Sequence, residues 1–149
     1  MLKKFFEFLQ CPCRSASKFA GKRILIVDDG EVERQFISRV LEKKGFVAQT
    51  AADGHQGLDM AIKEEKFDLI ILDYYMPGFS GKEVCAGLKR NEKTKDIPVV
   101  FLTGSASARD VVECFDVGAE YFLRKPISGP MLVKQIEMIL TELQKPPAA

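Results

Sequence analysis

Four short apolar runs constrain this chain more than any other feature. They are Ile24-Leu25-Ile26-Val27, Leu69-Ile70-Ile71-Leu72, Val99-Val100-Phe101-Leu102 and Tyr121-Phe122-Leu123. None alternates with polar residues. A strand with one wet face alternates, whereas a parallel strand covered on both faces reads as a continuous apolar run. Asp28-Asp29 close the first run, Asp73 the second and Thr103 the third, while Lys125-Pro126 follow the fourth. In an open α/β sheet the carboxyl ends of such strands line one edge crevice, where ligands bind. Three carboxylates, one hydroxyl and one ammonium are therefore expected at a single site. That set suits a divalent metal and the handling of a phosphoryl group.

The segments between the runs read as helices. From residue 23 onward the pattern is strand then helix, five times. Strands are expected over about 23–28, 46–50, 68–73, 97–102 and 120–124. The first helix, about 31–44, carries Val32, Phe36, Val40 and Leu41 as its apolar face and stops at Gly45. Asp53 caps a helix reaching about 65. Ser80 and Glu83 have the S-x-x-E spacing of a capping box for a helix to about 91. Ser107 caps a helix to about 117, which Gly118 stops. The last helix, about 129–144, has Pro130 in its first turn and Leu132, Ile136, Ile139 and Leu143 on one face. Strands alternating with helices of this length imply right-handed βαβ units. The fold class is therefore α/β, and five such units suit a flavodoxin-like doubly wound five-stranded parallel sheet with five helices.

A chain of 149 residues suits one domain with a sizeable core. Net charge is +1, which offers no global attraction for nucleic acid. The charge is uneven, however. Residues 1–23 hold six Lys/Arg and one acid, a local charge of +5, which leaves −4 for the remainder. Residues 1–21 read as a basic amphipathic leader, 22–144 as the domain and 145–149 as a short tail. Written on a helix, Leu2, Phe5, Phe6 and Leu9 share one face, with Phe8 off the stripe. Three uses stay open for that face: a loosely docked or disordered extension, self-association or partner docking through residues 1–10, and peripheral contact with an anionic membrane. Glu7 breaks the apolar stretch and Gln10 is bulky where a cleavage site needs a small residue, so the leader reads as retained. No run approaches the roughly 20 apolar residues of a membrane span.

Four cysteines are scattered through the chain. Cys85 and Cys114 fall in helices and read as small apolar packing residues. Cys11-Pro12-Cys13 has a C-x-C spacing without a second ligand cluster, so it is a weak metal signal. Nothing resembles a disulfide framework, which fits the cytoplasm. His55 is the sole histidine. It follows the Asp53-Gly54 turn and reads as a surface residue. Arg34 reads as a solvated helix residue.

Residues 23–143 resemble a response-regulator receiver domain of two-component signalling. The resemblance rests on Ile26-Val27-Asp28-Asp29, Leu72-Asp73-Tyr74-Tyr75-Met76-Pro77-Gly78-Phe79-Ser80-Gly81, Leu102-Thr103-Gly104 and Arg124-Lys125-Pro126, and it covers about four fifths of the chain. Each piece alone is common, and Asp28-Asp29 by themselves could simply cap a helix. All four in order, each at a strand end, are specific.

The resemblance implies the strand order 2-1-3-4-5 and a phosphorylation-activated switch. Asp73 would be the nucleophile that accepts a phosphoryl group from a partner phosphohistidine. Asp29 and Asp73 would bind Mg²⁺ directly, Asp28 through water, and the Tyr75 carbonyl would add a ligand. Lys125 would supply an ammonium and Thr103 a hydroxyl to the phosphoryl oxygens. Such chemistry is mainly positioning and charge neutralisation. A cis Lys125–Pro126 bond, which an X-Pro peptide tolerates at about 0.5–1 kcal/mol, would aim the lysine inward. Thr103, Phe122 and Pro126 would form the switch, with Phe lacking the hydroxyl of the tyrosine alternative. Tyr75 and Ser105 would flank the path of water to the acyl phosphate.

On this reading the chain is no turnover enzyme. It accepts a phosphoryl group, loses it slowly, and changes its binding of a downstream protein through the face made by 107–117, 120–124 and 129–144. A histidine kinase or phosphotransfer protein would be the donor, since His55 offers no phosphotransfer module in the chain itself. No nucleic-acid partner and no separate output domain are expected. A relay intermediate, a phosphate sink and a phosphorylation-independent adaptor stay open. Two other classes fit less well. An aspartate-nucleophile phosphohydrolase needs an acid where Tyr75 stands. A flavin module needs a phosphate-cradling loop where Asp28-Asp29-Gly30-Glu31 would repel phosphate without a metal.

Overall fold

The apolar runs are the strands. The computed structural model describes residues 16–64 and 66–146. In chain order they form β1 (Arg23–Val27), α1 (Glu31–Glu42), β2 (Val47–Ala51), α2 (Gly54–Lys63), β3 (Leu69–Leu72), α3 (Gly81–Arg90), β4 (Val99–Thr103), α4 (Ala108–Asp116), β5 (Tyr121–Arg124) and α5 (Gly129–Leu143). The strands make one parallel sheet of order β2-β1-β3-β4-β5, as the sequence reading expects. Boundaries differ by one or two residues from the sequence-based ones, where helix ends fray.

Alternate residues of each strand point to opposite faces of the sheet, and both faces are covered. Leu25, Val27, Ile70, Leu72, Val99 and Phe101 pack with Ala61, Val84, Cys85, Leu88 and Cys114 of α2–α4. Ile24, Ile26, Leu69, Ile71, Val100 and Leu102 pack with Ile37 and Leu41 of α1 and with Leu132, Ile136, Ile139 and Leu140 of α5. This double cover is why the runs do not alternate.

Local signals start and stop the helices. Asp53 accepts from the Gln56 N–H at 2.8 Å and Ser80 from the Glu83 N–H at 3.3 Å. A reciprocal capping box forms between Ser107 and Asp110, at the start of α4. Ser128 caps α5, with Pro130 in the first turn. Gly118, at φ 101°, follows the end of α4, where a Cβ would be strained.

Two helix faces differ from the expected ones. Val32 and Phe36 of α1 are 79% and 45% exposed, while Ile37 and Leu41 are buried. The apolar stripe of α1 is wide, and the sheet takes its 37/41 side, leaving Phe36 beside Gly129 at the start of α5. In α5, Leu140 is buried and Leu143, in the last turn, is exposed.

The residues just before β1 are part of the packing. Phe19, counted with the leader from sequence, is 3% exposed and sits in the α1/α5 core. The Ser17 N–H bonds the Lys44 carbonyl at 2.8 Å and the Gly21 N–H bonds the Gly45 carbonyl at 2.8 Å. The Leu2/Phe5/Phe6/Leu9 stripe and Cys11-Pro12-Cys13 lie outside the described residues. Among the described residues, no helix is long and apolar enough to cross a membrane.

Candidate functional site: an acidic cluster with one lysine

Parallel register brings the ends of β1, β3, β4 and β5 to one edge. The β1–β3 pairing places Val27 opposite Leu72, and the Asp73 N–H continues it to the Val27 carbonyl at 2.9 Å. Asp28 and Asp73 therefore leave neighbouring strands side by side. The β4–β5 pairing places Thr103 opposite Arg124, and the Lys125 N–H bonds the Thr103 carbonyl at 3.0 Å. Carboxylate oxygens of Asp28, Asp29 and Asp73 lie within 4.8 Å of one another.

The cluster is graded in exposure. Asp28 is 3% and Asp73 9% exposed, while Asp29 faces solvent. Thr103 is buried. The Lys125 Nζ donates to Asp28 Oδ2 at 2.7 Å and lies 3.8 Å from Asp73 Oδ2. Its tight partner is thus Asp28. The other Asp28 oxygen accepts from the Gly30 N–H at 2.8 Å. The Lys125–Pro126 peptide is cis, as the sequence reading expects.

The electrostatics follow from burial and crowding. The Asp73 carboxyl is pushed from 3.8 to about 6, chiefly by burial and further by Asp28 and Asp29. Lys125 and a hydrogen bond from Thr103 act the other way. Burial lowers the Lys125 ammonium, but Asp28 and Asp73 more than offset that and its acidity is weaker than usual. Three carboxylates against one ammonium leave an excess of negative charge. All offer hard oxygen ligands, so the residues fit Mg²⁺.

Backbone packing also holds Asp73 in place. A Cβ at Gly81 would collide with the Asp73 carbonyl, so the start of α3 can press against the strand end only as glycine. The Gly81 N–H bonds the Tyr74 carbonyl at 3.0 Å.

The structure corrects one residue and adds several. Arg34 is not simply solvated: its guanidinium donates to the Asp28 carbonyl at 2.8 Å and so braces the β1–α1 turn. Tyr75 is 52% exposed, with its hydroxyl turned to Asp110 of α4 at 2.7 Å. Tyr74 is buried and donates to Glu113 at 3.1 Å, and Lys82 joins the same carboxylate. No local sequence signal marks these partners, which lie 31 to 39 residues apart. Phe122 is half-buried against the α2–α4 core, opposite Phe101 in register. His55 is exposed and stacks on Phe79 at 4.5 Å.

The family profile of the response regulator receiver domain matches residues 24–137. The chain belongs to this family. Its general function is that of a phosphoryl-accepting switch in two-component signalling, and its members are phosphoacceptors that work with histidine kinases or phosphotransfer proteins. The chain is 36% identical over 127 residues to the DNA-binding dual master transcriptional regulator RpaA of Synechocystis sp., covering 85% of this chain and 52% of that protein. It is 36% identical over 123 residues to the phosphate regulon transcriptional regulatory protein PhoB of Escherichia coli, covering 83% and 53%. The chain thus spans about half the length of these curated relatives. The chemotaxis protein CheY4 of Vibrio cholerae superposes with a TM-score of 0.76 at 34% identity, over 80% of this chain and 99% of that one.

Proposed function

We propose that this receiver takes a phosphoryl group on Asp73 and thereby changes its binding of a partner protein. One observation carries the reading. Asp73 sits nearly buried between a lysine and two further carboxylates, with the buried Thr103 at the end of the neighbouring strand. In this reading an Asp73 oxygen attacks the phosphorus of a donor phosphohistidine. The O–P bond forms as the N–P bond breaks, and the imidazole leaves with the electron pair. Lys125 and Thr103 orient the phosphoryl oxygens. Asp29, Asp73 and the Tyr75 carbonyl would hold Mg²⁺ directly and Asp28 through water, and the ion would supply charge neutralisation on those oxygens. The acceptor is consumed in the transfer, so the chain is a switch and not a turnover enzyme.

Thr103, Phe122 and Pro126 form the moving part, and the α4–β5–α5 face carries the output. Val112 and Phe115 of α4 and Met138 of α5 are exposed there, which supports a protein partner. Residues 22–144 carry the receiver unit, extended at its start by the packed segment 16–21, and the location is the cytoplasm, which the free thiols of Cys85 and Cys114 support. For residues 1–10 three uses stay open: a loosely docked or disordered extension, self-association or partner docking, and membrane contact. Gel filtration and liposome co-sedimentation of a chain beginning at Ala16, which keeps Phe19, test these against the full chain.

The test of the main reading is labelling by acetyl phosphate with Mg²⁺, followed by intact mass. One phosphoryl group is expected on the parent and none on Asp73→Asn or in EDTA. Labelling that survives Asp73→Asn would sink the assignment.

A further inference from the structure

Two tyrosines directly follow the acceptor, and both hydroxyls reach the same helix. The Tyr74 hydroxyl donates to Glu113 Oε2 at 3.1 Å, and the Tyr75 hydroxyl to Asp110 Oδ2 at 2.7 Å. Lys82, at the start of α3, reaches the same Glu113 oxygen at 3.1 Å. Asp110 and Glu113 stand three residues apart, on one face of α4. The two tyrosine rings meet edge to face at 4.8 Å, and Tyr74 meets Phe101 of β4 the same way at 5.8 Å. The rings therefore seat the hydroxyls, and the hydroxyls hold the helix.

Asp110 has a second duty. Its carboxylate also accepts from the Ser107 N–H at 2.8 Å, closing the capping box that begins α4. Tyr75 thus bonds the cap of the helix, not merely its side. Four residues upstream of Ser107 stands Thr103, buried at the end of β4 and among the groups that act on the Asp73 carboxyl. The acidic site and the N-terminus of α4 are joined twice, once along the chain through 103–107 and once across space through the tyrosines. The carboxyls agree: Tyr75 holds Asp110 below the usual carboxylate range, and Lys82 then Tyr74 do the same for Glu113.

We propose that Tyr74 and Tyr75 clasp α4 in its resting position, and that phosphorylation of Asp73 has to open the clasp. The proposal rests on Asp73 as acceptor. A phosphoryl group there draws Thr103 inward, and the 103–107 stretch pulls on the start of α4. Hydrogen bonds are short-range and directional, so a shift of about 1 Å weakens them steeply. Contacts made in one state only bias the equilibrium by their own free energy. The clasp would therefore set how readily the chain responds to its donor, and removing it would pre-shift α4.

Tyrosine-to-phenylalanine changes remove the hydroxyls and keep the rings. The full-length Tyr74→Phe/Tyr75→Phe protein is compared with the parent for uptake of beryllium trifluoride and Mg²⁺, a tetrahedral mimic of the phosphoryl group. Hydrogen exchange of α4 is followed in the resting state. Affinity about three- to tenfold higher is expected, with faster exchange confined to α4 and its preceding loop. Equal or weaker uptake by the double variant, with the parent binding normally, overturns the clasp and leaves the acceptor reading intact. A parent that takes up no beryllium trifluoride overturns both. Faster exchange spread over the whole sheet would mean general destabilisation and also counts against the clasp.

Discussion

Replacing Asp73 by asparagine should stabilise the metal-free protein, and only at neutral and higher pH. Asp73 is 9% exposed, and burial with neighbouring acids lifts its carboxyl from 3.8 to about 6. The folded state therefore binds this proton more tightly than the unfolded chain. The stability it carries is fully present below about 3.8 and is lost as pH rises through about 6. A shift of that size, at about 1.4 kcal/mol per unit, corresponds to about 3 kcal/mol of stability lost by about pH 8. Asparagine has nearly the same shape and no charge to bury. In urea titrations with EDTA, the Asp73→Asn protein should exceed the parent by about 3 kcal/mol at about pH 8, with the gap closing near pH 4. Mg²⁺ should then raise the parent more than the variant, because a ligand of the native state alone stabilises it by mass action. A variant less stable than the parent at pH 8, or a gap that ignores pH, would refute the account of Asp73 as a strained, charge-crowded carboxylate.

Three further outcomes test the site. Lys125→Met leaves the buried Asp28 carboxylate without its cation and should cost about 3 kcal/mol at neutral pH; an unchanged urea midpoint would show that the pair is not coupled. Gly81→Ala drives a Cβ into the Asp73 carbonyl and should cost about 2 kcal/mol or more while weakening Mg²⁺ binding, and a melting temperature equal to the parent's would contradict that contact. Tyr75→Asn should speed loss of the phosphoryl group, because a bulky ring two residues after Asp73 hinders water; equal decay curves would end the shielding idea.

Much of the molecule is legible along the chain. Ile24–Val27, Leu69–Leu72 and Val99–Leu102 could be assigned to doubly covered parallel strands because burial on both faces removes the need for polar alternation. Strand order followed from the family resemblance, and Asp28, Asp73, Thr103 and Lys125 could be gathered at one edge because parallel strands all end on the same side. Asp53, Ser107 and Ser128 marked helix starts because a cap acts on an N–H only two or three residues away. All of these signals are local or topological.

The tertiary structure decided the rest. Nothing in the sequence separates Val32 and Phe36 from Ile37 and Leu41 as the buried side of α1, since both sets are apolar and, at roughly 100° per residue, their centres lie about 140° apart on one broad arc; only the docking angle on the sheet chose. The preference of Lys125 for Asp28 at 2.7 Å over Asp73 at 3.8 Å depends on the relative advance of β1, β3 and β5, which pattern does not encode. Arg34 found the Asp28 carbonyl, and Tyr74 and Tyr75 found Glu113 and Asp110, through distances between separate elements. Hydrogen bonds reach only about 3 Å, so partners far apart along the chain are chosen by how whole helices and strands pack, and are visible only once they have packed.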